Sequence, residues 1–224
     1  MKPVAEGVQL AARGLTKRFG PGHEVLTDVE LTAPGGSLTV VLGGPGAGKS
    51  TLVRCLTGVY RPDAGGVTYR LSRSEVAEVN CADPRTVAWL RTHHIAAFDE
   101  LMAAAPRLPA AVAAARAARC HRAVAVGMFT RFRVGDLATA PIGRLRPADR
   151  LTVALMASLS ADRPFVVLDS PERFADPEVL IAWLRHLTDR GVAVVATGAP
   201  DTTLASAAAA VGELSRGTIV WRRR

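Results

Sequence analysis

Eight residues limit the folds open to this chain more than any others: Gly43-Gly44-Pro45-Gly46-Ala47-Gly48-Lys49-Ser50, followed by Thr51. They fit the pattern G-x-x-x-x-G-K-[ST]. Glycines let a backbone curl until successive N–H groups converge, an arrangement that suits phosphate oxygens. A helix starting at Lys49 adds the partial positive charge of its N-terminus. The flanks agree with this. Residues 38–42 are an unbroken apolar run, the mark of a strand buried on both faces, and residues 49–56 read as a helix. Lys49 is then placed to reach β- and γ-phosphates, and the Ser50 hydroxyl to ligate Mg²⁺. The pattern points to a nucleoside triphosphate bound with magnesium. It does not by itself imply hydrolysis.

A strand–loop–helix unit needs a sheet around it, and the chain supplies candidates. Residues 8–12, 25–31 and 67–71 read as strands, separated by turns at 20–23 and 62–66. Residues 165–168 and 192–196 are short buried strands, and 213–214 with 218–221 look like a closing hairpin. Residues 178–190 form an amphipathic helix with Leu180, Trp183, Leu184 and Leu187 on one side. From about 84 to 147 the pattern turns helical and rich in Ala and Arg. Strands alternating with helices predict an α/β fold with a largely parallel sheet, the helical middle forming an inserted lobe. Four apolar residues, Phe165-Val166-Val167-Leu168, end in Asp169. That puts a carboxylate at the carboxyl end of a strand, where ligands of open α/β sheets gather. There it can hold magnesium through water.

Composition narrows the classes further. Of 224 residues, 49% are hydrophobic and 21% charged, which is globular rather than disordered. Aromatics are only 5%, so the core must lean on Ala, Val and Leu. No run of about 18 uninterrupted apolar residues exists, which excludes a spanning helix. The most apolar region, 101–118, is broken by Pro106, Arg107, Pro109 and Arg116. The first six residues lack the apolar core of a signal peptide, so a cytoplasmic protein is expected. Cys55, Cys81 and Cys120 are odd in number and far apart, fitting reduced thiols rather than disulfides or a zinc site. The net charge of +8 favours anionic partners without choosing among them. Much of it sits at Arg116, Arg119, Arg122, Arg131, Arg133, Arg144, Arg146 and Arg150, and at the terminal Arg222-Arg223-Arg224. Such runs read first as a solvated face and second as a docking patch. His93-His94 has no Cys or carboxylate at ligand spacing. Trp89, Trp183 and Trp221 read as packing residues. Ser170 lacks the G-x-S-x-G surroundings of a nucleophile.

Taken together, these motifs resemble the nucleotide-binding domain of the ABC ATPase family, and the likeness covers nearly the whole chain. Leu15-Thr16-Lys17-Arg18-Phe19-Gly20 resembles the segment that presents an aromatic to adenine, here Phe19, whose flat π face can serve in place of Tyr. Residues 57–67, Asp169-Ser170-Pro171, Asp176 and the hairpin 212–221 also resemble family segments. The resemblance implies a P-loop NTPase of ABC type. Its core sheet is mostly parallel, with an antiparallel N-terminal β region and an inserted helical subdomain. One domain over 1–224 is expected, with 1–83 and about 151–224 as the RecA-like core and about 84–150 as the helical part. It implies ATP bound by Phe19 and by Gly43 to Thr51, and Mg²⁺ held by Ser50, by Asp169 through water, and by Asp99 at the Q-loop position. Asp176 matches the D-loop aspartate. A second ABC-type domain, in a homo- or heterodimer, and a permease are the implied partners, at the inner face of the membrane. Within the family, residues 85–111 are similar to PhnL, the accessory ATPase of the carbon–phosphorus lyase system, which implies a phosphonate role and a lyase-type complex.

The departures from the family are as informative. Its catalytic glutamate follows the aspartate of the buried strand, and here that position is Ser170, which is shorter and uncharged. Glu172 is not an obvious substitute, because Pro171 intervenes. The switch histidine belongs near Gly198-Ala199-Pro200-Asp201, where there is none; His186 belongs to the preceding helix. The signature Leu-Ser-Gly-Gly-Gln is replaced by Leu145-Arg146-Pro147-Ala148-Asp149. Pro147 has no N–H to offer, Asp149 repels phosphate, and Arg146 can still attract it. Losing one preorganised donor costs about 10²–10³ in rate. The expected function is therefore an ATP–Mg²⁺-binding subunit with weak or no hydrolysis, acting in assembly or regulation. An active transport ATPase is the alternative, and a basic nucleic-acid-binding module ranks third.

Overall fold

The computed structural model describes residues 7–79, 82–97 and 106–222. Two sheets organise it. The first is antiparallel and runs in the order β2-β1-β4-β5. Its strands are β1 (Gln9–Arg18), β2 (Glu24–Pro34), β4 (Ala64–Arg70) and β5 (Val76–Glu78). Strand β2 alternates buried and exposed residues over most of its length, as a sheet with one covered face requires. The turn joining β1 to β2 is closed by the Phe19 N–H, which donates to the His23 carbonyl at 2.9 Å.

The second sheet carries the order β10-β9-β3-β8-β7-β6. Strands β3 (Leu38–Leu42), β6 (Ile95–Ala97), β7 (Phe165–Leu168), β8 (Ala193–Gly198) and β9 (Ala210–Ser215) are parallel, and β10 (Thr218–Trp221) closes antiparallel on β9. Every residue of β3, β7 and β8 is buried, the reason these segments read as unbroken apolar runs. The sheet divides the core in two. Val40, Val166 and Val194 pack into one hydrophobic cluster, and Val41, Val167 and Val195 into the other. The second cluster joins the antiparallel sheet to α1 (Lys49–Leu56). There Tyr69 meets Phe165 edge-on at 4.7 Å, and its hydroxyl donates to the Leu56 carbonyl at 2.6 Å.

The first cluster lies under helices α3 (Ala110–Ala118), α4 (Arg122–Arg131), α5 (Pro147–Ser160) and α6 (Pro177–Asp189). Ala111, Ala114, Ala115 and Ala118 give α3 a small-residue face, and the larger Phe129 and Met156 fill the space around it. Two further helices are α2 (Pro84–His93), capped by the Asp83 carboxylate, and α7 (Leu204–Ala207). The stretch expected to be helical from about 84 departs from that pattern at β6. This strand pairs with β7, Ile95 opposite Phe165, so the core sheet continues to Ala97. Among the described residues, no helix is long and apolar enough to cross a membrane.

Candidate nucleotide site

The glycine loop links β3 to α1 at the carboxyl edge of the parallel strands. Its curvature depends on Gly46 and Gly48, with φ of 76° and 101°. Gly48 caps α1, and a Cβ there would lie 3.1 Å from the Val25 carbonyl oxygen, so both conformation and space require glycine. Lys49 folds back over the loop, its Nζ donating to the carbonyls of Gly43 at 2.6 Å and Gly44 at 2.9 Å. The Gly43 N–H donates to the Gly198 carbonyl at 3.1 Å, tying the loop to the end of β8.

Beside this loop lies a cleft of about 580 Å³. Pro45 to Thr51, with Val25, Val53 and Arg54, form one side; Leu151, Asp169, Ser170, Arg173 and Phe174 form the other. Lys49, Ser50 and Asp169 thus share one cavity. Asp169 is anchored from behind: its Oδ1 accepts from the Thr197 hydroxyl at 2.7 Å, and the Thr197 Oγ1 accepts from the Ser170 N–H at 3.1 Å. A hydroxyl and a carboxylate facing one cleft form a hard-oxygen donor set of the kind Mg²⁺ takes. The residues present fit that ion. Among the described residues, no group of three His, Cys, Asp or Glu forms another candidate metal site.

Ser170 sits in the left-handed region, φ 46° and ψ 53°, where the chain reverses after β7. Glu172 turns away from the cleft-lining set toward the end of β8. Its Oε1 accepts from the Ala199 N–H at 3.1 Å, and its Oε2 is buried without a partner among the described residues. Gly198 closes β8, and a Cβ there would meet Thr202 Cγ2 at 2.7 Å and Glu172 Oε1 at 3.3 Å. The segment where the resemblance expects a histidine is therefore filled by Thr202 and the Glu172 carboxylate.

The remaining expected residues are distributed around this centre. Phe19 is 43% exposed and outside the cleft lining; its ring meets Tyr60 edge-on at 5.4 Å, with Lys17 Nζ 5.5 Å from its centroid. Asp63 anchors the same segment, accepting from the Arg18 N–H at 2.7 Å and pairing with Lys17 at 3.1 Å. The Arg18 N–H and then Lys17 hold its carboxyl below the usual carboxylate range. Leu145 is buried, Arg146 caps α5, and Pro147 opens it. Arg146 Nε pairs with Asp149 Oδ2 at 2.9 Å, a bond that keeps the Asp149 carboxyl low. The charge expected to attract phosphate and the one expected to repel it neutralise each other. Asp176 caps α6 through the N–H groups of Glu178 and Val179. Asp99 lies outside the described residues. Thr197, Arg54 and Arg173 belong to the site but were not singled out from the sequence. A threonine beside a strand-end glycine and lone arginines carry no motif.

Outside the cleft lining, the tryptophans, His94 and the described cysteines have structural surroundings. His94 packs against Trp89 with ring centroids 4.5 Å apart and planes tilted by 53°, and burial pushes its imidazole pKa down. Trp183 donates to the Leu159 carbonyl at 3.2 Å and Trp221 to the Glu30 carbonyl at 3.0 Å. Cys55 and Cys120 are free thiols, and burial raises Cys55 to about 11.

A parallel α/β sheet with a glycine loop at its carboxyl edge, and a strand-end carboxylate across the same cleft, defines a nucleoside-triphosphate-binding protein of the P-loop class. Residues 26–173 match the ABC transporter family model, and the chain belongs to that family. It is 32% identical over 189 residues to the ribose import ATP-binding protein RbsA 2 of Burkholderia cenocepacia, covering 81% of this chain. It is 30% identical over 191 residues to the sulfate/thiosulfate import ATP-binding protein CysA of Burkholderia mallei, covering 80%. The chain spans only 37% of the first relative's length and 52% of the second's. Among solved structures, a dimeric bacterial ABC transporter cassette superposes with a TM-score of 0.79 at 19% identity, covering 94% of this chain and 96% of that one. The fold is that of an ABC ATPase cassette.

Proposed function

We propose that this chain is the ATP-binding cassette of an ABC transporter, one of two cassettes that close over ATP beneath a permease. The observation that carries this reading is the shared cleft of Lys49, Ser50 and Asp169. The names of the relatives, importers of ribose and of sulfate or thiosulfate, support import of a small solute as the service performed. The loop N–H groups and the α1 N-terminus hold the phosphates. Lys49 exchanges the Gly43 and Gly44 carbonyls for phosphate oxygens. Ser50 and Asp169 hold Mg²⁺, which when bound neutralises phosphate charge. Phe19 stacks on adenine, Asp99 occupies the Q-loop position and Asp176 the D-loop position. The chain acts as one cassette at the inner membrane surface, with core segments 1–83 and about 151–224 and a helical part at about 84–150, from which β6 returns to the core sheet.

A second reading concerns turnover, and Ser170 with Gly198 favours it. Without a carboxylate at 170 or a histidine in 198–201, this cleft has few groups to orient water, and with Arg146 bound to Asp149 the segment 145–149 has little to offer a γ-phosphate held by a second cassette. The cassette would then hold ATP in an assembly or regulatory role, and a heterodimer with an intact partner would supply the working site. A phosphonate role draws on the likeness at 85–111 alone. A nucleic-acid-binding role draws only on net charge.

The experiment is ATP binding and steady-state hydrolysis by the purified chain, with Lys49→Ala as control. Binding lost in the control supports the cassette reading. Turnover at about 1 s⁻¹ or faster, lost in the same control, sinks the slow-turnover reading.

A further inference from the structure

We propose that Arg173 recognises the γ-phosphate of bound ATP, so that it separates ATP from ADP in this cleft. The inference rests on the nucleotide-binding reading and deepens it.

Arg173 ends a single 3-10 turn, Pro171–Arg173, just beyond the left-handed Ser170. The turn is closed by the Arg173 N–H donating to the Ser170 carbonyl at 3.2 Å and the Phe174 N–H donating to the Pro171 carbonyl at 3.1 Å. This places Arg173 on the same wall as Asp169, with its guanidinium 5.6 Å from the centroid of the Phe174 ring. The residue is exposed and lines the cleft, and no carboxylate among the described residues pairs with it. Arg54, another cleft cation, is already engaged: its Nη1 donates to the Tyr60 hydroxyl at 2.8 Å.

The charge of the wall makes this arginine consequential. Among the described lining residues, Asp169 is the sole carboxylate, and its Oδ1 is occupied by Thr197. A glutamate at 170 would stand three residues from Arg173 on the same turn, where it could pair with the guanidinium and repel phosphate. Serine does neither. The substitution that removes a water-orienting carboxylate therefore also leaves an unneutralised guanidinium facing the cleft. A planar guanidinium matches two phosphate oxygens at once. Ser50 and Asp169 flank the β/γ end of a magnesium-bound triphosphate, and Arg173 shares the Asp169 wall, so the terminal phosphate is the one it meets. With no carboxylate at 170 to orient water, the contact serves binding.

Calorimetric titration of the full chain with ATP and with ADP, each with Mg²⁺, tests this. Arg173→Ala should weaken ATP about tenfold or more and change ADP by less than about twofold. Arg173→Lys should recover part of the lost ATP affinity. Retained ADP binding shows that the variant is folded. Equal loss for both nucleotides marks a structural role and overturns the proposal, as does unchanged ATP affinity. If the unsubstituted chain binds neither nucleotide, the nucleotide-binding reading itself fails and takes this inference with it, an outcome distinct from loss of ATP selectivity.

Discussion

The two sides of the cleft differ in what holds them. On the loop side, groups that meet phosphate are fixed by backbone geometry: Gly46 and Gly48 at positive φ, Lys49 seated on two carbonyls, Ser50 at the start of α1. The opposite side depends on side chains, and there the residues differ from those that the resemblance leads one to expect. Asp169 remains, bolted to Thr197, while serine stands at 170 and glycine at 198. The comparison teaches that holding a triphosphate and cleaving it make separate demands on a site. The first needs donors that curl around charge; the second needs a few side chains placed against a water molecule.

The largest expected effect tests the loop side. Lys49→Ala should weaken ATP binding at least about a hundredfold by calorimetry, with the circular dichroism spectrum unchanged. Unaltered binding would remove the loop from the site. Next is the anchor of the opposite side. Thr197→Val removes a fully buried hydroxyl that bonds Asp169 and Ser170. It should cost about 1–3 kcal/mol in urea unfolding and weaken magnesium-dependent ATP binding severalfold. Equal destabilisation with unchanged ATP affinity would show that Asp169 needs no buttress.

Ser170→Glu probes the altered wall directly. Steady-state hydrolysis should rise by less than about tenfold, because Gly198 and the Arg146–Asp149 pair remain as they are. A hundredfold gain would break the comparison, since one side chain would then account for the whole difference. The smallest effect belongs to Asp149. Its carboxyl is held low by Arg146, so its contribution is present above the ordinary value of 3.8 and fades as pH falls through the lowered one. Arg146 is exposed and Asp149 half-buried at the surface, so Asp149→Ala should change the melting temperature of the isolated chain little at pH 7, and less in high salt. A clear drop would give this segment a structural weight that its exposure does not suggest.

Much of the fold was legible from residue order. The buried strands 38–42 and 165–168 stand at their expected positions because parallel strands need continuous apolar runs. The α1 helix and the closing hairpin were legible for similar reasons. Strands β5 and β6 were not: three residues are too few to show a period, and Ile95-Ala96-Ala97 lies within helical-looking sequence. Strand β1 runs on to Arg18, past the expected end at 12, because Gly14 takes φ 58° and the register shifts there, breaking the alternation. In the site, the glycine loop and Asp169 were visible as motifs. Glu172 was set aside from sequence because of Pro171, yet the turn after Ser170 carries its carboxylate to Ala199. Direction after a left-handed residue is a property of the backbone, and residue order does not display it.

The central sheet also acts as a bulkhead. Val40 and Val41 are covalent neighbours that belong to different compartments, one shared with the helices, the other with the antiparallel sheet and α1. The buried alanines of α3 all lie on the helix side of that partition. A core substitution in α3 is therefore felt first by α4 and α5, on the opposite face of the sheet from α1.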